Sequence, residues 1–85
     1  MVEKRVGKVT HYFTKIGVAV IELEDTLKVG DKIRIKGTTT DFVQTADSMQ
    51  IEHQQVEEAG AGQSIGLKVA DRVREGDEVF LVEEE

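Results

Sequence analysis

The residues of this 85-residue chain with the types needed for acid–base or metal chemistry are two histidines and scattered hydroxyl and acidic side chains. His53 is followed by Glu57 and Glu58, a nitrogen-and-oxygen set that metal ions accept. One histidine beside two acids is far more often a solvated strand end than a metal site. We therefore expect no bound metal.

Nucleophilic catalysis needs a hydroxyl or thiol activated by a base that is itself held in place. The chain has no cysteine, and its serines Ser48 and Ser64 form no recognised motif with His11 or His53. His11 instead adjoins Tyr12 and Phe13 at a predicted hairpin tip, where neighbouring aromatic rings are typical of interface anchors. The sequence therefore predicts a protein that is not an enzyme.

The glycines do not form a nucleotide site. A phosphate-binding loop has the form G-x-x-x-x-G-K-[ST] before a helix, and this chain has no such segment. Gly60, Gly62 and Gly66 miss that spacing, and they also miss the G-x-G-x-x-G spacing of dinucleotide sites. They are typical of corners between strands. We expect neither a nucleotide nor any other cofactor.

One short segment has the pattern of a binding surface. Lys32, Arg34 and Lys36 alternate with isoleucines, which places three positive charges on one face of a strand. Lys28 is predicted to extend this basic stripe. Such a stripe suits an RNA phosphate backbone or an acidic protein surface. The alternative is a solvated strand face whose charges pair with neighbouring acids.

Charge and composition restrict the function further. The net charge is −6, but residues 1–42 carry 8 Lys and Arg against 6 Asp and Glu, and residues 43–85 carry 3 against 11. A net acidic chain is not a general nucleic-acid binder, so any basic patch must be local. The sequence shows neither a signal peptide nor an apolar run of membrane-spanning length. With no cysteine, it predicts a cytoplasmic protein with no membrane contact.

The apolar residues follow the spacing of strands throughout, and no proline interrupts them. The predicted strands are 6–13, 16–23, 32–36, 64–69 and 78–81, with either a further hairpin or one long bent strand over residues 41–53. Gly66 lies inside one of them and predicts a bulge or a bend. We expect one domain over residues 1–82, followed by an acidic, frayed tail at 83–85.

One turn pattern occurs twice. Gly30-Asp31 and Gly76-Asp77 each precede a strand with alternating residues, after an apolar residue three positions before the glycine. Glycine accepts a positive φ there, and aspartate can accept a hydrogen bond from a nearby backbone amide. With Gly62 at the corner before the 64–69 strand, these residues are predicted to be structural turns.

The order of these features resembles the second, β-barrel domain of translational GTPases such as elongation factor Tu. The matching segments are 6–9, 27–31, 48–51, 58–62, 65–67 and 73–77. The resemblance implies an all-β, closed or nearly closed antiparallel barrel of about six strands. In those factors the domain packs on the nucleotide-binding domain and helps to contact tRNA or ribosomal RNA. The chain also resembles the accessory C-terminal barrel of the U32 collagenase-like peptidase family.

Two roles follow from these resemblances. In the first, a non-enzymatic barrel docks on ribosomal RNA, tRNA or associated translation factors through the loop 38–42 and the residues Lys28, Lys32, Arg34, Lys36, Tyr12 and Phe42. In the second, the barrel is an accessory module for a separately encoded enzyme such as a U32-type peptidase, and an exposed apolar patch around Tyr12, Phe13 or Phe42 matters more than charge. A small-molecule site would require a deep polar pocket, which the sequence does not indicate.

Overall fold

The computed structural model describes residues 2–83, and this part of the chain consists of strands and turns without a helix. The strands are β1 (Val2–Phe13), β2 (Val18–Leu23), β3 (Leu27–Lys28), β4 (Lys32–Lys36), β5 (Asp41–Thr45), β6 (Met49–Ile51), β7 (Gln54–Val56), β8 (Glu58–Ala59), β9 (Ser64–Lys68) and β10 (Glu78–Glu83). Glu83, assigned by the prediction to the tail, ends β10 and pairs with Val2. Residues 84 and 85 of the predicted tail lie outside the described residues.

Eight of the strands form one antiparallel sheet in the order β5-β4-β10-β1-β2-β9-β6-β7, and β3 pairs with β8 in a small second sheet. The predicted all-β class is confirmed. Within the described residues, β5 and β7 are the two edge strands of this sheet, and no backbone pairing joins them to close a barrel. Barrel closure is therefore not confirmed, and the strands outnumber the six that were predicted.

A side chain, rather than a backbone ladder, connects the end strand β5 to β9. Gln44 donates from Nε2 to the Lys68 carbonyl at 3.0 Å, and its Oε1 accepts the Ala70 N–H at 2.6 Å. A carboxamide has both an NH₂ donor group and a carbonyl acceptor, so it can replace the two bonds of one backbone pair. The sheet is therefore curled enough for one edge to reach the end of a strand on its other side.

The long strand β1 bends at two register shifts, one between Arg5 and Gly7 and one between Val9 and His11. Such shifts increase the coiling of a strand, which lets β1 pair with both β10 and β2. Gly7 is required at the first bend, since a Cβ there would lie 2.6 Å from the Glu22 carbonyl oxygen. These positions, rather than Gly66, carry the irregularities.

Of the two alternatives predicted at Gly66, a bulge or a bend, the bulge is not present. Gly66 pairs in regular register with Val20 on one side and with Gln50 on the other. A Cβ there would lie 3.4 Å from Cγ1 of Val18, which is ordinary van der Waals contact. The missing side chain therefore leaves a shallow floor on the outer face of β9.

The core fills the inner face of the curled sheet with aliphatic side chains. Ile33 and Ile35 are completely buried, as the alternation of β4 requires, and residues from β1, β2, β9 and β10 join them. Tyr12 and Phe42 are half-buried and pack against this cluster. With no cysteine in the chain, burial of apolar surface is the main stabilising contribution.

Both Gly-Asp turns have the same geometry. Gly30 and Gly76 have φ angles of +97° and +93°, and Gly62 at the corner before β9 has +86°. In each turn the aspartate, Asp31 or Asp77, accepts a hydrogen bond at 2.9 Å from the backbone N–H three residues earlier. The two turns differ in burial, because only Asp77 is removed from solvent.

Candidate functional site

The basic strand face has its central charge neutralised. On β4, Lys32, Arg34 and Lys36 point away from the core. Arg34 donates to both carboxylate oxygens of Asp41, at 2.7 and 2.8 Å, and to Glu3 at 2.9 Å. This bidentate geometry is the strongest form of the Arg–carboxylate pair. The guanidinium is therefore occupied by partners within the chain.

The charge pairs shift the pKa values as expected. Hydrogen bonds from Arg34 hold the pKa of Asp41 below its ordinary value of 3.8, and hydrogen bonds to Asp41 and Glu3 raise the pKa of Arg34. Lys28 lies on β3 in the small sheet, so it does not share a strand ladder with Lys32. The residues predicted to form one basic stripe thus occupy two sheets, and the central one is paired with acids.

A polar cleft brings the predicted contact loop together with two arginines that the sequence analysis missed. One wall of a cleft of about 290 Å³ is formed by Thr39, Thr40, Asp41 and Phe42, and the other by Asp71, Arg72 and Arg74. The second wall contributes Arg72 and Arg74. The sequence contains a signal for this pair, because arginines on either side of a buried valine repeat the basic–apolar alternation of β4.

An apolar groove lies on the outer face of β2 and β9, next to the turn between β1 and β2. Phe13 and Ile16 are 44% and 62% exposed, and both line the groove with Val18 and Val20 above the floor at Gly66. The register explains the grouping, since Phe13 pairs with Val18 and Gly66 pairs with Val20. Large apolar side chains that are exposed together often mark an interaction surface.

The aromatic residues named by the prediction have different surroundings. Tyr12 and Phe42 pack against the core, whereas Phe13 points to the outer face with His11, whose ring meets the Phe13 ring edge-on at 4.5 Å. Alternation along β1 causes this difference, because successive side chains point to opposite faces. Phe13 is therefore the exposed aromatic ring of the hairpin tip.

The two histidines have different surroundings. No group of three His, Asp or Glu side chains there is placed to hold a metal ion. His11 lies 3.7 Å from a carboxylate oxygen of Glu75, and His53 lines the apolar groove with Ser64 without a hydrogen bond between them. The same part of the chain contains no helix that could span a membrane.

The chain has the same fold as a solved C-terminal domain from a U32 peptidase. Over 94% of this chain and 93% of the other, it superposes with a TM-score of 0.88 and 18% identity on the C-terminal domain of a Geobacillus thermoleovorans protein described as a U32 peptidase. The selenomethionine variant of that domain gives a TM-score of 0.85 and 19% identity over 89% of this chain and 96% of the other. No protein-family model matches the chain.

Two curated relatives are described as proteases. The chain is 46% identical over 80 residues, 93% of its length, to an uncharacterized protease of Methanocaldococcus jannaschii. It is 40% identical over 77 residues, 88% of its length, to a collagenase of Porphyromonas gingivalis. The matched segments are only 20% and 21% of those proteins, so the chain spans about a fifth of their length. These similarities agree with the predicted likeness to the U32 accessory barrel and do not support the likeness to elongation factor Tu.

Proposed function

We propose that the chain is a non-catalytic accessory module that docks on the catalytic part of a U32-type peptidase. The observation that carries the proposal is the 46% identity over 80 residues with one fifth of a protease, in a chain with the fold of a peptidase C-terminal domain. A segment that makes up a fifth of a larger enzyme can contribute binding or positioning while another part of that enzyme carries the chemistry, which is the role we assign to this chain.

The apolar groove is the docking surface. Phe13 and Ile16 project from the turn between β1 and β2, and both are large apolar side chains left largely exposed. Interfaces are anchored by a few such residues that enter pockets of the partner. The basic face is the weaker candidate, because Arg34 already satisfies two carboxylates within the chain.

The test is calorimetric titration of this protein into the M. jannaschii protease from which the matching 80 residues have been deleted. We expect binding that changes little between low and high salt. A Phe13→Ser, Ile16→Ser variant should bind at least about tenfold more weakly, since each removes an apolar anchor worth about 1 kcal/mol or more. The matched control is Val43→Ser, an equally exposed residue on β5.

Two results would overturn the proposal. The first is no binding to a protease fragment that circular dichroism shows to be folded. The second is salt-sensitive co-sedimentation with ribosomes that disappears in a Lys32→Glu, Arg34→Glu, Lys36→Glu variant, because that result would establish the translational role instead.

A further inference from the structure

The cleft between the threonine loop and the segment 71–74 has the composition of an anion site, and we propose that it binds the carboxylate of a peptide. The carboxylate belongs either to a chain end or to an aspartate or glutamate side chain. Arg72 and Arg74 supply the charge, Thr39 supplies a hydroxyl, and the half-buried ring of Phe42 supplies an apolar surface.

The backbone that carries the two arginines is fixed by local hydrogen bonds. The Arg72 N–H donates to Asp71 Oδ1 at 2.7 Å, and the Arg74 N–H donates to Asp77 Oδ2 at 2.9 Å. Val73 between them is 1% exposed and anchors the segment in the core. The arginines are thus held by their main chain, and their guanidinium groups are not needed for that purpose.

These guanidinium groups differ from the one on β4. Arg34 is bound by two carboxylates, whereas neither Arg72 nor Arg74 makes an ion pair with any described residue. An arginine fork matches a carboxylate with two parallel hydrogen bonds. Two guanidinium groups without ion-pair partners among the described residues, on one wall of a cleft, therefore form a recognition site for a carboxylate.

The surrounding charges favour one negative charge over a polyanion. Asp41 and Asp71 also line the cleft, and Arg34 neutralises only the first of them. A net charge of −6 on the whole chain further repels a nucleic acid. The site therefore suits a peptide carboxylate better than an RNA backbone, whose binding depends on many clustered cations.

The opposite wall is rigid enough to present its side chains. The Gly37 N–H donates to the Thr40 carbonyl at 2.6 Å, which closes the loop between β4 and β5, and Thr40 itself is 5% exposed. Phe42 follows on β5, paired with Ile35. The Phe42 ring and the Thr39 hydroxyl thus lie opposite the arginine segment, on a loop closed by a backbone hydrogen bond.

The cleft shares no residue with the groove of Phe13 and Ile16, so the inference does not depend on docking to a protease. It is tested on this protein alone by NMR titration, which follows complexes as weak as about millimolar. The probes are an acetylated glycine–alanine tetrapeptide with a free C-terminal carboxylate, the same peptide with a C-terminal amide, and an amidated version that contains one aspartate.

We expect the backbone amides of Arg72, Arg74 and Thr39 to shift with a carboxylate peptide and not with the uncharged amide. Response to the free C-terminus alone assigns the site to chain ends, and response to the aspartate peptide assigns it to side chains. Arg72→Gln and Arg74→Gln should each weaken binding about tenfold, as loss of a charged hydrogen-bond pair does.

The matched control is Arg5→Gln, which removes the same charge from β1 and should leave the titration unchanged. Equal shifts with the carboxylate and amide peptides, or no shift with any of the three, would overturn the inference. So would tighter binding of a single-stranded RNA oligonucleotide that depends on Arg72 and Arg74. Circular dichroism should show that the variants fold like the parent protein.

Discussion

The carboxylate of Asp77 lies directly against the backbone of Gly37, where a Cβ would come within 1.9 Å of Asp77 Oδ1. Asp77 is 5% exposed, and its other oxygen accepts the Arg74 N–H. One glycine therefore makes room for the aspartate that fixes the second Gly-Asp turn. Because Asp77 also accepts the hydrogen bond from the Arg74 backbone, the contact between Asp77 and Gly37 helps to position one wall of the cleft.

Gly37→Ala should lower the free energy of unfolding by about 1–3 kcal/mol, the range for overpacking a closely packed site. The added methyl must displace either Asp77 or the loop after β4. Chemical denaturation measures the loss, and Gly60→Ala is the control, because a Cβ at Gly60 meets its first neighbour only at 3.9 Å. Equal stabilities of the two variants would contradict the packing argument.

Gln44→Leu should destabilise the protein by about 1–2 kcal/mol, because it removes two hydrogen bonds worth about 0.5–1.5 kcal/mol each. It should also speed hydrogen exchange at the Ala70 amide, which Gln44 Oε1 now protects. Gln54→Leu is the control, an exposed glutamine on β7. Unchanged exchange at Ala70 would show that the side chain does not connect the two edges.

Gln44→Glu separates the two bonds. A glutamate keeps an acceptor for the Ala70 N–H but places a carboxylate oxygen against the Lys68 carbonyl, where Nε2 now donates. We expect the loss of stability relative to the parent protein to be larger at neutral pH than at a pH that protonates the new carboxyl, since only the protonated form has a donor. A difference in denaturation midpoint between variant and parent that is the same at both pH values would argue against the bridge.

Asp41 should contribute to the loss of stability in acid. Its pKa is lowered in the folded state, first by the hydrogen bonds from Arg34, so its contribution is present above the ordinary value of 3.8 and is lost as pH falls through the lower folded value. Asp41→Asn should therefore reduce the steepness of the acid transition measured by thermal unfolding. Asp47→Asn, at an exposed position without an ion pair in the described residues, should leave that steepness unchanged.

The turn between β6 and β7 should gain stability from better turn residues. Ile51 pairs with Gln54, and the two residues between them, Glu52 and His53, have φ angles of +51° and +65°. Such two-residue hairpin turns favour Asn-Gly, because ordinary side chains are strained at positive φ. We expect Glu52→Asn, His53→Gly to raise the free energy of unfolding by about 1 kcal/mol.

The control for the turn is Glu52→Gln, His53→Gln, which removes the same charges and keeps both Cβ atoms. It should give no gain. If the two double variants were equally stabilised, charge rather than backbone strain would be the cause. A gain in stability with weaker docking to the protease would show that the strained turn, whose Glu52 and His53 both line the apolar groove, contributes to binding.

Local patterns predicted much of the fold. The alternation around Ile33 and Ile35 gave a strand with one buried face, and the glycines at 30, 62 and 76 occupy turns with positive φ. Each of these features depends on neighbouring residues only. The small paired strands β3 and β8 were not predicted, because two residues are too few to show a period.

The basic stripe shows where local pattern is insufficient. Alternation correctly placed Arg34 on the outer face, but it could not show that Glu3, 31 residues earlier, would lie two strands away across the sheet. Nor could it show that Arg72 and Arg74 would face the loop of Thr39. Both facts depend on which strands become neighbours.

The sequence by itself therefore determined the all-β class, the places of the turns and the lack of a recognisable catalytic motif. Each of these depends only on residue type and on spacing over a few residues. The tertiary structure alone decided which charges are neutralised, which arginines remain available and how Gln44 connects two edges of the sheet. Those outcomes depend on strand order and register, which join residues far apart in the chain and leave no periodic signal in any one segment.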